Sequence, residues 1–166
     1  LASCSAGKVA MKKGDKKLKY GEFEYSVDYY NKAIKHNYNT GEANFKIGEA
    51  YRLSNRLKEA EPFYRASIYN RYDNEEVRYY YGLALKSNEK YQQAKEELES
   101  YLASASEEEV IDLAQKEVDN LIKLNEIIQK ESFYRVKNLE LINTQAAEYS
   151  PVYLDGELYF KWRVKY

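Results

Sequence analysis

The sequence predicts a mostly α-helical protein, a solenoid of three antiparallel helix pairs closed by a capping helix and followed by a short β segment. Three observations carry that expectation. Gly14, Gly48 and Gly82 fall 34 residues apart. Only two prolines and seven glycines interrupt 166 residues, so long helices go largely unbroken. Past Glu131 the apolar period changes from helical to alternating.

Five further columns keep the same step: Phe23/Leu57/Tyr91, Ser26/Ala60/Ala94, Tyr30/Tyr64/Leu98, Ala33/Ser67/Tyr101 and Ile34/Ile68/Leu102. Small residues at fixed offsets let two helix backbones approach, and the large columns fill the seam and dock the next pair. A 34-residue period of this kind is the tetratricopeptide (TPR) signature, one helical hairpin per repeat. The clearest copy is "GEANFKIGEAYRLSNRLKEAEPFYRASIYN".

The elements follow in order. Helices are expected near 6–19 and 22–36, 41–53 and 56–70, and 75–87 and 90–103, separated by polar turns such as "HNYNT" and "RYDN". Ser106 and the glutamates at 107–109 then start a capping helix. Its stripe of Val110, Leu113, Ala114, Val118, Leu121, Leu124 and Ile128 should face the last repeat, leaving a charged face in water. "YRVKNLELIN" alternates like a strand, and "SPVYLDGELYFKW" reads as two strands joined at Asp155-Gly156. One hairpin is marginal alone, so either more chain is expected beyond Tyr166, which is the favoured reading, or a partner sheet that receives these strands. The domain reading is 1–5 as an anchor segment, 6–131 as three TPR repeats with their cap, and 132–166 as the beginning of a propeller-like β domain.

Composition narrows the function. The 26 Lys and Arg nearly balance 27 Asp and Glu, leaving a net charge of -1 and no basic run, which argues against nucleic acid. No segment approaches the roughly 18 apolar residues that span a bilayer. The 19 tyrosines suit half-buried helix seams and binding surfaces. His36, the one histidine, falls at a helix end, where interaction with the macrodipole is expected rather than catalysis. No Cys/His cluster, phosphate loop or nucleophile elbow is present in the sequence. The reading is therefore non-enzymatic, with no metal and no cofactor.

Cys4, the single cysteine, stands in "LASC", the form of a bacterial lipobox, in which small residues expose the bond before a cysteine that then carries lipid. Protein binding is expected on the inner wall formed by the first helix of each pair. Repeat positions 2, 5, 9 and 12 face it: Lys8, Met11, Asp15 and Leu18, then Glu42, Phe45, Glu49 and Arg52, then Glu76, Tyr79, Leu83 and Lys86.

Lipobox, three repeats, cap and "LINTQAAEYSPVYLDGELYF" occur in that order. Together they resemble the front part of the OmpA-like multidomain lipoproteins of Bacteroidota that accompany type IX secretion and gliding, in which a TPR domain leads into a β-propeller. The ending "KWRVKY" departs from the family pattern. The resemblance implies a lipid on Cys4 and a place on the periplasmic face of the outer membrane. It also implies a partner such as a β-barrel of the secretion machinery, and peptidoglycan bound through a downstream domain. The alternatives are a soluble cytosolic TPR adaptor or a regulatory domain of a larger enzyme. Co-chaperones of this fold grip a terminal carboxylate with a basic clamp, whereas the matching column here reads Lys8, Glu42, Glu76, which disfavours that ligand.

Overall fold

The computed structural model describes residues 2–106, 108–129, 148–154 and 157–162. The chain divides into two compact units, Leu1–Gln129 and Lys130–Tyr166. In the first unit seven helices follow one another: α1 (Ala2–Lys19), α2 (Phe23–Lys35), α3 (Thr40–Leu53), α4 (Leu57–Tyr69), α5 (Glu76–Ser87), α6 (Tyr91–Leu102) and α7 (Glu108–Gln129). Each packs on its neighbours in sequence.

The turns explain why these helices stop where they do. Gly21, Asn55 and Glu89, again 34 apart, all take left-handed backbone, with φ of 71°, 60° and 62°. After each, the next residue's N–H reaches back five positions: Glu22 to Lys17 O, Arg56 to Tyr51 O and Lys90 to Leu85 O, at 2.9 to 3.0 Å. That is the Schellman closure of a helix C-terminus, which consumes carbonyls the last turn leaves open. Asn37 and Arg71 repeat it between hairpins, with φ of 52° and 54°.

The seam is built from the columns read in the sequence. Tyr30, Tyr64 and Leu98 are fully buried, as are Ser26, Ala60 and Ala94. A methyl group added at Gly14 would lie 2.6 Å from the Tyr30 ring, at Gly48 2.6 Å from Tyr64, and at Gly82 2.7 Å from Leu98. The glycine column is therefore where each hairpin's two helices cross. A second such column was not read from the sequence: Gly7 meets Tyr38 and Gly41 meets Tyr72 at the junctions between repeats. In the third repeat this pair becomes Glu75 and Ser106. There the Ser106 amide and hydroxyl donate to the Glu75 carboxylate at 3.0 to 3.2 Å.

Pro62 lies inside α4 and has no N–H, so the Lys58 carbonyl loses its helical donor. Asn88 supplies one, its Nδ2 donating to Lys58 O at 2.9 Å and to Glu61 Oε2 at 2.8 Å. Lys90 Nζ donates to both oxygens of the buried Glu61 at 2.6 and 2.8 Å. One polar cluster thus repairs α4 and locks the third repeat to the second.

Two expectations need correction. The first helix starts at Ala2 rather than near residue 6, because Ala2–Ala6 holds no helix breaker. The outer face of the cap is not uniformly charged. Ala114, Val118 and Leu121 are buried as expected, but Leu113 and Ile128 of the expected stripe are exposed, and so are Ile122 and Ile127. For the isoleucines at its end, length is the reason: at about 1.5 Å per residue the 22 residues of α7 outrun the 12 of α6, so its last turn extends past α6 among the described residues. The positions that would receive a further helix, Asp112, Gln115, Lys116 and Asp119, are polar and exposed, which suits the end of an array.

The second unit contains β1 (Glu148–Leu154) and β2 (Glu157–Trp162), paired antiparallel with Leu154 opposite Glu157 and an irregularity between Tyr149 and Val152. The strand expected in "YRVKNLELIN" and the Asp155-Gly156 turn lie outside the described residues.

Candidate protein-binding groove

The first helices of the repeats, α1, α3 and α5, are joined to one another and to α7 by one polar contact at each step. Lys46 Nζ of α3 reaches Asp15 Oδ1 of α1 at 2.9 Å. The Arg52 guanidinium of α3 lies over the Tyr80 ring of α5, 4.3 Å from its centroid. Lys86 of α5 pairs with Glu117 of α7. Glu117 stands one further period along the Asp15, Glu49, Leu83 column, so α7 continues the wall of first helices.

The acids of this column turn inward. Tyr30 Oη donates to Asp15 Oδ1 at 3.0 Å and Tyr64 Oη to Glu49 Oε1 at 2.7 Å. Glu49 also takes Arg52 in a two-pronged pair, Nε to Oε1 at 2.9 Å and Nη2 to Oε2 at 2.5 Å. In the third repeat both partners become leucine, Leu83 and Leu98, so acid and phenol appear together or not at all. A buried hydroxyl without an acceptor costs on the order of 1–3 kcal/mol, which accounts for the joint exchange.

Burial first, and the neighbouring carboxylate second, push the Tyr30 and Tyr64 phenols far above their ordinary value of 10.0. Burial raises Tyr79, Tyr80 and Tyr81 as well. The folded state therefore holds these protons more tightly than the unfolded chain. Their contribution is fully present below pH 10 and is lost as pH rises above it. Urea unfolding between pH 10 and 11 is expected to show stability falling by up to about 1.4 kcal/mol per pH unit for each of the fully buried Tyr30 and Tyr64, and Tyr64→Phe should flatten the fall.

The structure distributes the expected wall residues unevenly. Met11 and Phe45 are buried, Met11 in one core cluster with Val27, Tyr30, Ala43 and Ile47, and Phe45 between Tyr64 and Tyr72. Leu18 packs half-buried on the first core. Glu42 accepts from Asn39 Nδ2 at 2.9 Å and lies 3.9 Å from Lys46. Glu76, Tyr79, Leu83 and Lys86 are half-buried, and Lys8 is exposed. Lys46, Tyr80 and Glu117 also stand on this wall and were not among the residues expected there. The first two sit at repeat position 6 beside Lys12, a column that the spacing offers but the reading of positions 2, 5, 9 and 12 passed over.

Aromatic rings form an unbroken band through the second and third repeats: Tyr72, Phe45, Tyr64, Tyr80, Tyr79 and Tyr101 stand in successive contact with centroids 5.3 to 6.1 Å apart. Tyr79 and Tyr80 bring that band to the wall, between the Arg52 and Lys86 pairs. Among the described residues no group of His, Cys, Asp and Glu is placed to hold a metal ion, and no helix is long and apolar enough to cross a membrane. His36 is the C-cap residue of α2.

No family model and no curated protein sequence matches the chain. Solved structures do. The TPR domain of Arabidopsis OM64 superposes with a TM-score of 0.62 at 20% identity, over 74% of this chain and 98% of that one. The first TPR domain of Spaghetti (RPAP3), solved with the HSP90 peptide SRMEEVD, gives 0.63 at 18% identity over 74% and 95%. The Sgt2 TPR domain of Aspergillus fumigatus gives 0.60 at 14% identity over 85% and 90%. Helices α1–α7 have the TPR fold.

Proposed function

We propose that this array is a non-enzymatic protein-interaction scaffold of the bacterial outer envelope. In this reading it is anchored by lipid on Cys4 at the periplasmic face of the outer membrane. It links a component of the type IX secretion or gliding machinery, such as a β-barrel's periplasmic turns, to peptidoglycan held by a further domain. The observation that carries the docking role is the half-exposed Tyr79, Tyr80 and Leu83 on a wall whose own charges are largely paired internally. Rigid aromatic rings beside satisfied ion pairs offer apolar anchorage at low entropic cost. The first TPR domain of Spaghetti (RPAP3) was solved bound to the HSP90 peptide SRMEEVD, which supports a protein segment as the ligand here. The envelope assignment rests on "LASC" and on the order of lipobox, repeats, cap and "EYSPVYLDGELYF".

Charge reversal at Glu49 and Arg52 would confound binding with folding, because both hold the buried Tyr64 network. Tyr80→Ala leaves the ion pairs in place but removes the ring stacked on Tyr64 and under Arg52. Circular dichroism and urea unfolding should first show an intact array, with Tyr69→Ala at the exposed end of α4 as control. Co-purification from native membranes is expected to lose a protein partner about tenfold or more with Tyr80→Ala and not with Tyr69→Ala. Undiminished recovery moves the interface off this wall. Mass spectrometry of the membrane-extracted protein should find Cys4 acylated, and an unmodified thiol removes the anchor.

A further inference from the structure

The array neutralises the cations of its wall everywhere except at α1. Lys46, Arg52 and Lys86 each have a carboxylate partner from the array itself. On α1, Asp15 is the only acid against six lysines, and it is committed to Lys46 and Tyr30. Lys13 and Lys17 lie over Tyr29 and Tyr25, and Lys17 also pairs with Glu22 at 2.6 Å. That leaves Lys8, Lys12, Lys16 and Lys19, all exposed and, among the described residues, without an acid. Their spacing of i, i+4, i+8 and i+11 puts them on one stripe of the helix. Lys8 and Lys12 occupy the wall positions that Glu42 and Lys46 occupy in the next repeat, so that part of the stripe continues the wall that Tyr79 and Tyr80 end, while Lys16 stands in the column of the buried Ala50 and Ala84.

We propose that this stripe receives an acidic stretch of the protein segment bound along the wall. The segment would be acidic over α1 and apolar or aromatic over α5. This deepens the docking reading above and rests on it. Complementarity is the argument for the occupant: a row of unpaired lysines beside a wall otherwise balanced in charge attracts one sign of partner, fixes the direction in which the segment lies, and repels a basic one. The stripe engages side-chain carboxylates along a stretch and does not depend on a terminal carboxylate, for which the Lys8, Glu42, Glu76 column is unsuited. An anionic lipid surface offers the same charge, but it has no use for the Tyr79 and Tyr80 end of the wall.

The test uses the full chain and K8E/K12E/K19E, exposed positions at which circular dichroism should report an intact array. Probes are a labelled peptide with a glutamate run followed by leucine and phenylalanine, its lysine-run counterpart, and vesicles of phosphatidylglycerol with phosphatidylethanolamine. The glutamate peptide is expected to bind and the lysine peptide not. The affinity for the glutamate peptide should fall about tenfold or more in the charge-reversed variant and decline with salt in the wild type. Equal binding of the two peptides, binding of neither, or lysine-dependent binding of vesicles alone overturns the proposal. Tyr80→Ala with the same glutamate peptide separates the two readings. If it weakens binding while the lysine reversal does not, the wall is the docking site and its acidic specificity is wrong. If only the lysine reversal matters, the stripe stands and the aromatic wall falls.

Discussion

Gly48→Leu is expected to destabilise the array by about 3 kcal/mol, read as a lowered urea midpoint at unchanged slope. A single added carbon at Gly48 already lies 2.6, 2.8 and 2.9 Å from Cε1, Cδ1 and Cζ of Tyr64. That ring has little room to retreat. It is fully buried, its centroid stands 6.1 Å from those of both Phe45 and Tyr80, and its hydroxyl is held by Glu49. Gly48→Ala sharpens the test because two effects oppose each other. Helix propensity favours alanine by about 1 kcal/mol, whereas overpacking a filled seam costs about 1–3 kcal/mol. The net effect should be a loss. At Gly82 the obstacle is the Leu98 side chain, so the same change there should be milder. Gly21→Ala should also destabilise, by about 1 kcal/mol and for another reason: nothing stands within 4 Å of the added carbon, but its φ is 71°. A stabilising Gly48→Ala would show that the hairpin crossing is looser than this geometry.

Those glycines also show how far the sequence could be read. A 34-residue period identifies equivalent positions, and equivalence was enough to find six helices, the columns that fill the seam and the small residues at the crossings. Boundaries of α2 to α6 agree with expectation to within a residue because Gly21, Asn55, Asn37 and their neighbours mark each turn. Periodicity does not say which way a side chain on the wall turns. Asp15 and Glu49 look like free acids in a helical register. Their commitment to Tyr30 and Tyr64, fifteen residues on, depends on the angle at which two helices cross. Phe45 has the composition of a ligand anchor, and only packing shows it enclosed by Tyr64 and Tyr72. The joint change of Asp15/Tyr30 and Glu49/Tyr64 to Leu83/Leu98 was visible in the sequence and could have revealed the pairing, had two columns been compared rather than each read alone. The overhang of α7 was hidden for a simpler reason: an apolar stripe announces a buried face but not the length of the helix that covers it.

The same pairing predicts a reversal of sign between Glu49 and Tyr64. Tyr64→Phe in the native background is expected to cost about 1 kcal/mol, since Glu49 keeps Arg52 and loses one hydrogen bond. Glu49→Leu should cost about 2–3 kcal/mol, because it strands the buried Tyr64 hydroxyl and the Arg52 guanidinium together. Introduced after Glu49→Leu, however, Tyr64→Phe removes a hydroxyl that has no acceptor left, so the double variant should be more stable than Glu49→Leu alone. A coupling of about 1–2 kcal/mol in this cycle is the size expected of residues sharing one buried network. The double variant should still fall short of the native protein. Arg52 would then lie over Tyr80 without its carboxylate, whereas Lys86, at the equivalent position in the third repeat, has Glu117 from α7. Strict additivity of the two changes would mean that the hydroxyl and the carboxylate do not depend on each other, and that the matched leucines of the third repeat reflect packing alone.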